Sequence, residues 1–405
     1  MKRFVLNVAG LFVAIVAVLF GLTSLYLMAA ILWLIPLVSY LMGLLMLGGL
    51  DCERTLPLSA AAGESLTLTY MLTNTGRFPK FYLLVRDTLP RGLLLSGPAP
   101  LVLALWPGET RETLCQVTAR QRGVFAVGPA HVFSTDPLGL QTFSRRLPAV
   151  SELVVYPAAL PLRDSWLRGA ASAGWRGADT ALVRGDGDDF YGVRDYGPGD
   201  ELRRVHWRTT ARTGTLAVAE YAQGITLDVT IALDLSQDAY KGTGRDEGSA
   251  LETAVTLAAT LIGDLLRYGH SVRLLTPGYQ TESLAARTAD ALPEFLERLA
   301  RVDADAVLSL AGALLEDRAG TPRPATIVAI TPDWPNPALA EMFQDAEALG
   351  SAWFVFALDA ASFRSSSPGL PDASGNPNVC HVRRGDDLTL LLEGQAHGRT
   401  GLWLD

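Results

Sequence analysis

Cysteine is scarce in this 405-residue chain. Cys52, Cys115 and Cys380 are odd in number and far apart, with no CxxC pair and no Cys/His ligand spacing. That excludes a disulfide framework and fits a reducing compartment. The five histidines (His131, His206, His270, His381, His397) are scattered without a ligand pattern, and no serine or cysteine sits in a recognisable nucleophile motif. A phosphate-cradling glycine loop with its lysine is missing as well. The reading is therefore of a protein that is not an enzyme. Positive charge is not in excess either: 34 Lys and Arg against 42 Asp and Glu leave a net charge of −8, which argues against nucleic acid as a partner.

The largest local absence is charge between Phe4 and Leu50. That run is about twice the roughly 20 apolar residues that cross a bilayer. It predicts two helices in a transmembrane hairpin over 1–50, turning around Gly21 to Tyr26, with Pro36 inside the second. A cleaved signal peptide would have a shorter apolar region followed by a small-residue cleavage site. Lys2 and Arg3 favour a cytoplasmic N-terminus. Two spans then return the bulk of the chain to the cytoplasm, in a multi-pass protein of the inner (plasma) membrane whose first partner is the lipid bilayer.

Beyond the hairpin the chain is patterned, not depleted. From 51 to 156 apolar residues alternate with polar ones: Leu66, Leu68, Tyr70 and Leu72 interleave with Thr67, Thr69 and Thr73. Further strands are expected near Phe81 to Arg86, Thr113 to Thr118, Gly123 to Val127 and His131 to Ser134, with Asp136 to Leu140 ending a strand as a turn. This is the pattern of an all-β immunoglobulin-like sandwich. Residues 157–184, rich in Pro, Gly, Ser and Ala, read as a mobile linker. From 224 to 405 buried-strand runs alternate with helices: Leu227 to Asp234, a helix with Ser249 and Glu252 at capping-box spacing and Gly269 at its end, Val272 to Thr276, Leu292 to Val302, Ala325 to Thr331, Leu339 to Leu349, Trp353 to Leu358 and Val379 to Arg383. That predicts a doubly wound α/β domain, the third part of a multidomain chain.

Charge is concentrated between these domains, at 185–223. From Arg184 to Arg212, six acids (Asp186, Asp188, Asp189, Asp195, Asp200, Glu201) interleave with six arginines (Arg184, Arg194, Arg203, Arg204, Arg208, Arg212) around Phe190, Tyr196 and Trp207. Gly185 to Gly199 supply turn formers, and Asp200 is a natural N-cap for a helix that Gly214 closes. Arg204, Arg208 and Arg212 would share one face of that helix, and a strand would follow at Leu216 to Tyr221. Charges this dense need mutual pairing in a partly buried junction or a charged partner.

The run FYGVRDYGPGDELRRVHWRTTARTGTLAVAEY, with RGVFAVGPAHVFSTDPLGL upstream and IALDLSQD downstream, resembles the family called domain of unknown function 58: bacterial proteins that pair a membrane hairpin with this motif and a von Willebrand A-like domain. The resemblance covers most of the chain beyond the membrane segment. It implies a binding role for Arg194, Asp195, Tyr196, Gly199, Asp200, Arg203, Arg204, Trp207 and Arg212. It also aligns Asp234, Ser236 and Asp238 with the metal-site motif Asp-x-Ser-x-Ser, and Asp333 with a later acid. Oxygen ligands of this kind suit Mg2+, but Asp238 replaces the second serine and no threonine lies near Val302 to Ala306, so the site reads as degenerate. Asp234 and Ser236 as caps of the edge loops is the other reading. As partners the resemblance implies a MoxR-type AAA+ ATPase and a transglutaminase-like membrane protein, and as function a membrane-anchored cytoplasmic scaffold in the assembly or maturation of other complexes. The alternative is a magnesium-dependent enzyme or metal-dependent binding protein that takes an anionic substrate through the signature acids and arginines.

Overall fold

A computed structural model describes residues 2–135, 140, 142–147, 150–163, 165–167, 182–185, 189–197, 205–224, 226–243, 248–277, 282–320, 326–364, 376 and 378–396. Asp136 to Gly139, Gly199, Asp200, Arg203 and Arg204 fall outside them. The chain divides into two compact units, Met1–Tyr156 and Pro157–Asp405.

The first unit opens with two helices, α1 (Lys2–Phe20) and α2 (Thr23–Leu47), joined at Gly21 with a φ of 65° that suits glycine. They pack against each other. Trp33 Nε1 donates to the Asn7 carbonyl at 3.3 Å, and a side chain at Gly10 would meet the Trp33 ring. In α2 the stretch Thr23–Gly43 is long and apolar enough to cross a membrane, whereas the apolar part of α1, Phe4–Phe20, is shorter. Outward-facing Leu11, Phe12, Ile15, Leu27, Ile31 and Leu37 are exposed, the reverse of what water selects for in a helix pair.

The rest of the first unit is strand. A four-stranded sheet has the order β1 (Leu50–Thr55), β3 (Ser65–Asn74), β7 (Thr110–Ala119), β5 (Leu93–Leu95). A second has the order β10 (Thr142–Leu147), β9 (Ala130–Thr135), β4 (Lys80–Asp87), β6 (Leu101–Leu105). A three-stranded sheet of β2 (Ser59–Ala61), β11 (Ser151–Tyr156) and β8 (Gly123–Val127) completes it. The alternation in β3 does what period two requires: Leu66, Leu68, Tyr70 and Leu72 enter the core with Leu83, Val85, Val117, Val132 and Val155. That core also holds an ion pair. Arg54 Nη1 meets Asp87 Oδ2 at 2.5 Å, with Tyr70 donating to the same oxygen at 2.8 Å. Cys52 and Cys115 are buried nearby as free thiols, and burial raises the Cys52 thiol to about 11.

The second unit begins with a correction. The stretch read as a mobile linker is, in its described first part, packed: Leu162, Trp166 and Leu167 are buried in the α/β core, with the Trp166 ring edge-on to Phe354 at 5.3 Å. Composition hid this, because a few apolar anchors among prolines and alanines suffice to dock a strap. Next comes a small antiparallel sheet in the order β12 (Leu182–Gly185), β14 (Ala217–Gly224), β13 (Asp189–Asp195), with helix α3 (Trp207–Thr213) between β13 and β14. The signature thus contains strand where turn formers predicted loop.

Six strands then form the main sheet in the order β17 (Glu282–Ala286), β16 (Ser271–Thr276), β15 (Asp228–Leu233), β18 (Thr326–Thr331), β19 (Trp353–Leu358), β20 (Val379–Val382). Numbered along the chain, this is 3-2-1-4-5-6, parallel except for edge strand β17. The helices are α4 (Ala250–Arg267), α5 (Leu292–Arg301), α6 (Leu310–Gly320), α7 (Pro337–Ala348), α8 (Ala360–Arg364) and α9 (Leu388–Ala396). Alternate residues of each strand serve opposite faces. Ile231, Leu233, Phe354 and Phe356 pack with α4, α5 and the strap, while Ala232, Leu275, Val355 and Ala357 pack with α6 and α7. β17 and α6 went unread in the sequence, the first because an edge strand needs no long apolar run and the second because its apolar residues lack a clear stripe.

Candidate functional site

In a sheet of this order the loops after the first and fourth strands leave toward opposite faces and open a crevice at the carboxyl ends. Those strands are β15 and β18, paired with Leu233 opposite Ile330. Asp234 follows the one and Thr331 ends the other. Asp234 is 2% exposed, and its amide donates to the Ile330 carbonyl at 2.9 Å. Its Oδ2 accepts from the Thr331 hydroxyl at 2.7 Å and its Oδ1 from the Ser236 amide at 2.9 Å. Tyr240 OH closes the turn on the Asp234 carbonyl at 2.9 Å. Burial pushes the Asp234 carboxyl above its ordinary range. The hydrogen bonds from Thr331 and Ser236 pull it back in part, and nearby Asp333 adds to the rise.

Thr331 was missed in the sequence because it closes an apolar run, TIVAIT, that reads as strand and nothing more. It also holds the loop beyond: its hydroxyl accepts from the Asp333 amide at 3.0 Å, and Asn336 Nδ2 donates to Asp333 Oδ2 at 2.6 Å. Ser236 forms an isolated bridge with Ala306, which fixes the Asp234 loop against the segment after α5. Asp238 goes elsewhere. Its side chain is exposed and pairs with Lys241. The expectation that Asp238 fills the second serine's place beside Asp234 is corrected: one turn further on, the chain has carried its side chain out to solvent.

These positions bear on a cation. Magnesium takes near-octahedral oxygen coordination. Among the described residues no three of His, Cys, Asp and Glu gather. Both Asp234 oxygens already accept from protein donors, and Asp333 shares an oxygen with Asn336. The donor set as placed is already engaged with the protein's own donors. It fits a buried carboxylate that ties three loops together at the switch point.

The signature presents a contrast in exposure. His206, not Asp200, caps the described helix: its Nδ1 accepts from the Thr209 amide at 3.3 Å and bonds the Thr209 hydroxyl at 2.8 Å. Val205, bridged to Val218, lies just before it, and the described helix starts at Trp207 and carries Arg208 and Arg212, Arg204 lying outside the described residues. At the other end Gly214, with φ of 74°, returns its amide to Thr210 O at 2.9 Å. No residue of α3 is buried. Trp207 is 67% exposed, and Arg208 and Arg212 lie in solvent. Arg194 and Asp195 are exposed at the end of β13, Arg194 Nη1 donating to the Asp195 carbonyl at 3.0 Å, and Tyr196 is half-buried with its amide on Leu216 O. Arg194 and Arg212 are thus exposed, while Arg203 and Arg204 and the acids Asp186, Asp188, Asp200 and Glu201 expected to pair with such arginines lie outside the described residues.

Comparison with known proteins bears on this same region. A family model described as "Protein of unknown function DUF58" matches residues 192–314. The uncharacterized protein YeaD of Bacillus subtilis (strain 168) is 24% identical over 233 residues, 56% of each chain, so the match spans about half of that relative. Among solved structures, the alpha-2-macroglobulin of Escherichia coli is 23% identical, with a TM-score of 0.24 over 29% of this chain and 18% of that one. The CARDB domain of the PF1109 protein from Pyrococcus furiosus is 16% identical, with a TM-score of 0.20 over 26% of this chain and 91% of that one. The family match starts in β13, takes in α3 and the Asp234 crossing, and ends in α6, so this segment of the chain is similar to the DUF58 family.

Proposed function

We propose that this protein is a membrane-anchored interaction scaffold, held by the hairpin of α1 and α2 with the bulk of the chain in the cytoplasm, and that it works with a MoxR-type AAA+ ATPase in assembling or maturing other complexes. The observation that carries the interaction reading is α3. Tryptophan and arginine are the residues that dominate binding energy when they enter a partner's pocket. Here Trp207, Arg208 and Arg212 stand on a helix that buries nothing and is fixed by caps at both ends. A helix kept rigid yet unburied loses little conformational entropy on binding.

In this reading the first unit is an immunoglobulin-like sandwich and the second a von Willebrand A-like domain. Support for the latter comes from the 3-2-1-4-5-6 order with one antiparallel edge and from Asp234-x-Ser236 after the first strand. The self-satisfied Asp234 favours recognition through hydrogen bonds over recognition through a shared cation. The test is affinity purification of the tagged full chain from detergent-solubilised membranes, beside the Trp207→Ala/Arg212→Ala variant. Recovery of an AAA+ ATPase with the first and not the second is the expected result; equal recovery with both would remove α3 from the reading. A cytosolic reporter fused after Asp405 should be active, and activity of a periplasm-dependent reporter there would overturn the hairpin.

A further inference from the structure

The two ends of the β sandwich differ, and one of them is tied to the membrane helix. Asn74, buried at the end of β3, donates from Nδ2 to the Phe78 carbonyl at 2.9 Å and to the Leu105 carbonyl at 3.0 Å. Its own carbonyl accepts from the Gly108 amide at 2.8 Å. One side chain thus gathers the β3–β4 turn and the β6–β7 turn. Both sit at the exit of α2: the Thr75 amide donates to Gly49 O at 2.9 Å, and buried Lys80 donates its Nζ to Gly48 O. From these turns project Phe78, 53% exposed, and Trp106, 59% exposed, with Arg77 beside them.

The level of this end relative to a bilayer follows from α2. Its 25 residues measure about 37 Å at 1.5 Å per residue, longer than the roughly 30 Å hydrocarbon core, so the last turns reach the headgroup layer. Phe143 of β10 packs within the apolar stretch itself: its ring lies 5.9 Å from that of Tyr40, and a side-chain carbon at Gly43 would fall 1.8 Å from a Phe143 ring carbon. Only glycine permits so close an approach. An edge strand of the sandwich therefore overlaps the end of the span.

We propose that this end of the sandwich is an interfacial docking surface for the bilayer: Trp106 and Phe78 enter the headgroup boundary, and Arg77 reaches lipid phosphates. Indole rings concentrate at that boundary because one edge is apolar and the other donates a hydrogen bond. The occupant is the headgroup layer, since the surface is continuous with a helix that already lies in it. This rests on the membrane anchor proposed above.

Nitroxide labels on the full chain in phospholipid nanodiscs test it. Cys52, Cys115 and Cys380 are buried, so Thr75→Cys and Pro107→Cys can be labelled selectively without removing either aromatic residue. Leu94→Cys serves as the far-end reference: Leu94 pairs with Thr118, which faces Ser65, about 30 Å along β3 from Asn74. Leu37→Cys reports the span. The ratio of oxygen to water-soluble nickel accessibility should be several-fold higher at 75 and 107 than at 94, with 37 highest. Ratios at 75 and 107 equal to that at 94, with 37 still lipid-like, would overturn the docking surface and leave the anchor standing. A water-like ratio at 37 would remove both.

Discussion

Helices α3 and α4 belong to the same unit, and both are capped in the manner their sequences permit. Ser249 Oγ accepts from the Glu252 amide in α4, His206 does the equivalent in α3, and a glycine of positive φ follows each. They differ in what they bury. α4 buries thirteen of its eighteen residues against the sheet and the strap, and α3 buries none of its seven. Packing holds the first and local hydrogen bonds hold the second. The lesson is that caps alone can fix a surface helix well enough to display side chains, and that mutational cost should separate from functional cost along the same chain.

The largest effect should come from the packed helix. Leu261→Ala, at a fully buried position, should cost about 2–5 kcal/mol, read as a lower urea midpoint of the full chain in detergent. If it cost no more than a substitution in α3, the contrast would collapse. Asp264 comes next. It is buried on α4 and accepts from the Trp166 amide at 3.0 Å and the Ser165 hydroxyl at 3.3 Å. Asp264→Ala leaves those donors without it and should cost about 1–3 kcal/mol.

Burial also pushes the Asp264 carboxyl up, so between the unfolded and folded values the folded state binds the extra proton. Stability from this group therefore rises as pH falls through the folded value and is complete below the unfolded one. Asp264→Asn keeps an acceptor and should flatten that slope in melts recorded from neutral to mildly acidic pH. An unchanged slope would assign it to other acids.

Smaller effects belong to α3. Gly214→Ala at φ of 74° should cost about 1 kcal/mol, seen as faster amide exchange at Thr210 to Gly214 with the global melt unmoved. Trp207→Ala and Arg212→Ala should change stability by less than about 0.5 kcal/mol while weakening partner capture. A large stability loss from either would mean that the helix is packed, not displayed.

The sequence disclosed these two helices unequally. α4 was legible because Ser249, Glu252 and Gly269 mark its ends and a strong apolar stripe fills the interval. α3 was placed only at its C-terminus, by Gly214. Its start at Trp207 was hidden because histidine is an uncommon cap and Asp200 a common one. In the first unit β3, β4 and β9 were readable by alternation, whereas β10, with Arg145 and Arg146 exposed, gave no such signal and owes its place to pairing with β9. At the switch point Asp234 was found from its position after a buried strand. The outward turn of Asp238 depends on a loop path set by Tyr240 and Ala306, and no local pattern encodes that.

The strap gives the unit a mechanical property. The chain passes from Tyr156 into the second unit at Leu160, whose amide donates to Thr260 on α4 at 3.1 Å, and then wedges Trp166 between α4 and the sheet. A pull along the backbone from Tyr156 meets this wedge before it meets β15. The Leu160–Thr260 bond, the Trp166 amide bond to Asp264 and the buried indole then stand between that pull and the strand that leads to Asp234.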